Sequence, residues 1–106
     1  MNEALTKNFK KAFKQEVVVI HAAYGLTPRT VAFVEVPKNA TVDEKLELAF
    51  ELTNSIDCAW WENEEVTPTF PDEDGGCRST SVDDMVLIGT EKYVCKKQGW
   101  EKLNES

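Results

Sequence analysis

The sequence is short of several things, and each shortage excludes a class of function. It has one histidine among 106 residues. A serine or cysteine nucleophile needs a base within reach and a third group to orient that base. The one candidate base, His21, sits between Ile20 and Ala22 inside the strand-like run "EVVVIHAAY". A lone histidine in such a run is expected to be packed or solvent-facing rather than catalytic. There is no phosphate loop, because Gly75-Gly76 by itself is a turn rather than a phosphate cradle. There is no basic excess either: the formal net charge is −7. Bare nucleic acid and anionic membrane are therefore not expected as partners, whereas a basic protein surface is.

Cysteine is also scarce. Cys58, Cys77 and Cys95 form an odd set. No apolar stretch has the length of a membrane span, and the N-terminal segment lacks the apolar centre of a secretory signal. Free thiols in a reducing cytoplasm are the expectation. With His21 the three thiols make a nominal Cys3His zinc set, and a small enzyme or metal protein using these four residues is the alternative reading. Structural zinc sites usually include a closely spaced ligand pair, which is missing here, so no metal or other cofactor is expected.

What is present points to one α+β domain. Hydrophobic residues make up 42% of the chain, enough for a modest core. "NEALTKNFKKAFK" places Leu5, Phe9, Ala12 and Phe13 on one helical face, so residues 1–15 read as a peripheral amphipathic helix. Residues 16–54 read as strand–strand–helix. "EVVVIHAAY" and "RTVAFVEVP" are β-branched runs joined by the loop-like "YGLTP". Alternation puts Val31, Phe33 and Glu35 on one side of the second strand and Ala32, Val34 and Val36 on the other. "TVDEKLELAFELTN" opens on a capping box, Thr41 with Glu44, and carries a stripe of Val42, Leu46, Ala49, Phe50 and Thr53 that Leu48 and Leu52 widen. On that stripe Phe50 is expected in the core, where truncation to alanine costs about 3–5 kcal/mol.

Residues 55–80 read as a long acidic, aromatic loop, within which "CAWWEN" suggests a short strand. From Asp57 to Asp74 the chain has seven acids and no base. If the segment is extended, Trp60 and Trp61 point to opposite sides, so that one of them anchors a partner. Asp57, Glu62, Glu64 and Glu65 then form a negative rim around it. Residues 81–103 read as a C-terminal hairpin, "DMVLIG" and "KYVCKKQ" about a Gly89-Thr90-Glu91 turn, with "GWEKL" as a further short strand. The hydroxyls of "CRSTSVDD" suit a turn that delivers the chain into this hairpin, with Arg78 paired to an acid such as Asp74 or Asp83.

The stretch "CRSTSVDDMVLIGTEKYVCKKQGWEKL" resembles a module of small uncharacterised tailed-phage and plasmid proteins. The matching positions are Arg78, Ser79, Ser81, Val82, Asp84, Tyr93, Gly99 and Trp100, and with "NSIDCAWWEN" upstream the likeness covers about residues 54–103. Asp83 stands where that module usually has glycine, and Cys95 where it has valine. The resemblance carries no catalytic residues; it implies a phage or mobile-element origin and action inside a bacterial cell. The opening of residues 16–54 also looks like that of a ubiquitin-like β-grasp, in geometry only.

The expected fold is a mainly antiparallel sheet of four to five strands with one helix packed on a face and a peripheral N-terminal helix. The expected function is that of a non-enzymatic acidic module that binds a basic host protein concerned with defence or nucleic-acid handling, inhibition being one natural form of that action.

Overall fold

A computed structural model of the chain describes residues 14–25, 27–54, 59–70 and 75–103. The helix expected at the N-terminus lies outside these residues as far as position 13, as do Asp57 and Cys58. In chain order the elements are β1 (Lys14–His21), β2 (Arg29–Pro37), α1 (Val42–Leu52), a 3-10 turn (Trp60–Glu62), β3 (Val66–Pro68), β4 (Met85–Ile88), β5 (Glu91–Lys96) and β6 (Gly99–Leu103). The strands form one sheet in the order β3-β2-β1-β4-β5-β6, and every neighbouring pair is antiparallel. The class is α+β, with six strands instead of four to five. The additional strand, β3, is three residues long and lies inside the stretch read as loop. It is too short to show alternation, and Pro68 is tolerated because the strand is at the sheet edge.

The described residues of "CAWWEN" do not form the expected strand. Trp60 to Glu62 form a single 3-10 turn, which the backbone closes with Glu62 N–H to the Ala59 carbonyl (3.0 Å) and Asn63 N–H to the Trp60 carbonyl (3.2 Å). The β4–β5 hairpin turns through Gly89 and Thr90, with Ile88 paired to Glu91. Gly89 has φ 61°, the positive value that the first residue of a tight type II′ turn requires.

One face of the sheet carries the core. Val17 and Val19 of β1, Ala32, Val34 and Val36 of β2, Val86 of β4, and Leu46 and Ala49 of α1 are all essentially inaccessible to solvent. Val31 is buried beside Ala32, contrary to strict alternation. The cause is a bulge: Val19 pairs with Ala32 but Ile20 with Thr30, leaving Val31 as the extra residue.

Helix α1 begins as its sequence dictates. The Thr41 hydroxyl accepts from Glu44 N–H (3.1 Å), and the Glu44 carboxylate reaches back to Thr41 N–H (3.4 Å). Lys45 is buried, and its ammonium donates to Gln15 Oε1 (2.7 Å). Phe50 is half-buried at the margin, edge-on to Trp100 with ring centroids 6.3 Å apart. The deep core position of the helix is therefore Leu46.

Leu46→Ala is expected to cost about 2–5 kcal/mol, and Phe50→Ala less than the about 3–5 kcal/mol of a fully enclosed phenylalanine. Urea unfolding of both variants checks this; a larger loss at Phe50 than at Leu46 would mean that the helix presents a different face to the sheet.

Candidate functional site

The segment between the aromatic stretch and β4 holds the densest set of polar contacts among the described residues. Its centre is Asp84, whose side chain has 0% exposure. Oδ1 accepts from the backbone N–H of Ala22 (2.8 Å) and Ala23 (2.9 Å) and from Arg78 Nη2 (2.8 Å). Oδ2 accepts from Ser81 N–H (2.8 Å) and from Arg78 Nη1 (2.6 Å). The Arg78 guanidinium thus binds the carboxylate through both nitrogens, a geometry that fits planar carboxylates. Of the two expected partners of Arg78, Asp83 does not hold it. Asp83 is exposed and lies 3.7 Å from Lys96, while Asp74 is outside the described residues. Asp83 has φ 78°, the left-handed conformation to which a glycine at that position is suited.

Burial alone would raise the Asp84 carboxyl. Arg78 and the three amide donors outweigh it and bring the carboxyl down to about 2. The same pairing raises Arg78. The guanidinium also lies over the Tyr24 ring, 5.1 Å from its centroid. Tyr24 has φ 64°, an unusual conformation for an aromatic residue.

His21 joins this centre to a chain of hydroxyls. Its Nε2 is 3.0 Å from Thr80 Oγ1, which is 2.8 Å from Thr53 Oγ1. Thr53 donates to the Ala49 carbonyl (2.6 Å). That commits the Thr53 proton, so Thr80 must donate to Thr53 and His21 Nε2–H to Thr80. The bare Nδ1 then faces Cys77 Sγ at 3.6 Å and accepts from the thiol. Burial is the main cause that lowers His21 to about 4, against the opposing pull of Asp84 and with the help of Arg78 and Arg29. Burial also raises the Cys77 thiol, with Arg29 acting against it. Nucleophile, base and orienting hydroxyl stand in order, yet both shifts keep the proton on sulfur. The arrangement is a neutral thiol–imidazole contact rather than an activated thiolate.

The other residues singled out by the sequence are dispersed. Cys95 is buried on β5, where burial raises its thiol. Cys77 and His21 meet, but among the described residues no three potential ligands are placed to hold a metal ion. Trp60 has 0% exposure and is a core residue. Its indole N–H is shared between the Cys77 and Arg78 carbonyls, both at 3.1 Å. The 3-10 turn replaces the expected strand, so the two tryptophans do not alternate. Trp60, Trp61 and Phe70 instead pack edge-to-face, with centroids 5.6, 5.6 and 5.7 Å apart. Trp61 is half-buried against Gly76, where an added Cβ would come within 2.8 Å of its ring. Glu62 and Glu64 are exposed and Glu65 is half-buried; Asp57 is outside the described residues. Sequence reasoning missed Asp84 as the hub. The available signal was the crowding of backbone-seeking hydroxyls and an arginine just before a strand.

The centre makes stability depend on pH in a definite sense. His21 titrates at about 4 in the fold, from an ordinary 6.5, so the unfolded chain binds the extra proton between those values. Stability is complete above pH 6.5 and is lost as pH falls towards 4, by about 3 kcal/mol in all. Asp84 adds a loss of about 2 kcal/mol as pH falls from 3.8 to 2. Urea midpoints between pH 7 and 5, above the ordinary carboxylate range, isolate the histidine. The parent protein should weaken there and His21→Gln should not; a variant that keeps the slope would remove His21 as its origin.

No protein-family model matches the chain, and neither the curated proteins nor the solved structures offer a match, so its site is characterised by its own geometry.

Proposed function

We propose that the protein is a non-enzymatic acidic module that binds a basic protein surface. The observation that carries this reading is the outer side of α1. Asp43, Glu44, Glu47 and Glu51 are all exposed there. The one base of the helix, Lys45, is turned inward to Gln15. A helix that hides its lysine and displays four carboxylates presents a field of one sign, which speeds encounter with a cationic partner. Glu62 and Glu64, exposed at the end of the 3-10 turn and just beyond it, extend the acidic character. Asp84, Arg78 and His21, in contrast, are engaged with one another and with the backbone, which favours a structural part for them. With Trp60 in the core, the half-buried Trp61 is the tryptophan left to anchor a partner beside this charge.

The resemblance of residues 54–103 to phage and plasmid modules gives this reading a setting: an accessory protein that occupies a basic groove of a host defence or nucleic-acid-handling protein. No helix among the described residues is long and apolar enough to cross a membrane. A second reading rests on the 3.6 Å contact between Cys77 and His21, which would serve a thiol-dependent activity if the proton could leave sulfur.

The test begins with capture of the partner from bacterial lysate, followed by binding kinetics at two salt concentrations. Glu47→Gln, Glu51→Gln, Glu62→Gln and Glu64→Gln combined should lower the association rate at least tenfold and flatten its salt dependence, with little change in dissociation. An unchanged association rate in a folded variant would sink the charge-driven reading. Cys77→Ser should bind like the parent; a stable Cys77→Ser protein without function would put the thiol reading in its place.

A further inference from the structure

The core lies on one face of the sheet, and the opposite face is apolar too. Residues opposed across a ladder share a face. Val18 is opposite Phe33 on one side and Leu87 on the other. Ile20 is opposite Met85, which is opposite Val94. Lys92 links Leu87 to Leu103. Seven apolar side chains thus form a continuous outer patch across five strands. Val94 is buried and the other six are half-buried. None of the seven belongs to the core cluster or packs against it. Among the described residues the only α-helix lies on the other face. An antiparallel sheet with a solvated face alternates apolar with polar residues, and this one does not; an apolar patch of that extent marks a contact surface.

We infer that this outer face is the docking surface for the chain's own segment 2–13, which immediately precedes β1. Two observations select that occupant over a second copy or another protein. First, the segment repeats Leu5, Phe9 and Ala12 at helical spacing, which makes a single apolar stripe. Second, the lengths agree: a helix of residues 2–13 is ~18 Å long, and Phe33 on β2 lies four strand spacings, ~19 Å, from Leu103 on β6. The domain then has three layers: α1, the sheet and the N-terminal segment.

Full-length protein carrying Phe9→Asp, Phe33→Asp or both tests the assignment, with Phe9→Ala and Phe33→Ala as milder versions should the charged variants not fold. The readouts are melting temperature, fluorescence of a hydrophobic dye, and mass by light scattering. The parent should be monomeric and leave the dye dark. Each single variant should melt on the order of 5 °C lower, and Phe9→Asp should light the dye. The double variant should melt well above the sum of the two losses, because both remove the same contact. Strictly additive losses, or a Phe9 variant indistinguishable from the parent, would overturn the proposal. So would a dimeric parent that Phe33→Asp dissociates and Phe9→Asp leaves intact, since that outcome assigns the face to a second copy.

Discussion

The rest of the structure depends on where the Asp84 carboxylate goes. It is shut away from water and accepts five hydrogen bonds: two from the amides after β1, one from Ser81 and two from Arg78. A buried charge is tolerated only when it is paired and its lone pairs are filled. Once Asp84 is satisfied, the end of β1 and the start of β4 are held side by side, and the β1–β4 ladder follows. That ladder joins the N-terminal hairpin to the β4–β6 meander. Without it the two halves of the sheet have separate edges.

The same constraint organises the stretch that reads as irregular in sequence. Arg78 must reach Asp84, so the chain from Cys77 to Ser81 is drawn across the end of the sheet. Its carbonyls at Cys77 and Arg78 then receive the Trp60 indole, and Thr80 closes onto Thr53 and His21. Trp60, one of the two tryptophans considered for a partner, therefore becomes the lid of the core. Its neighbour Trp61 is held by Phe70 and by the absence of a side chain at Gly76. A long connection costs conformational entropy to order; here aromatic packing, the hydrogen bonds of Trp60 and Thr80, and those to the buried Asp84 carboxylate offset that cost.

Function and architecture then divide the chain between them. Chemistry-bearing residues are gathered inside, in a neutral and mutually satisfied network. Charge is displayed outside, on the helix face turned away from the sheet. This division is why the acidic surface, rather than the thiol–imidazole contact, supports the functional reading.

Local pattern by itself determined the β1–β2 hairpin, helix α1 with its cap, the β4–β5 turn and the short final strand. Each is encoded within a few residues: β-branched runs, Thr41 with Glu44, Gly89 at a positive φ, and the "GWEKL" run. Tertiary structure alone decided four other things. The Val31 bulge arises from pairing between strands, and a pairing is not visible in either strand alone. The short β3 is a strand only because β2 is there to pair with it. Trp60 turned inward because the 3-10 turn and two distant carbonyls set its direction. Arg78 chose Asp84 over Asp83, a choice that burial made: Asp83 is exposed, whereas Asp84 is also reached by two amides at the end of β1.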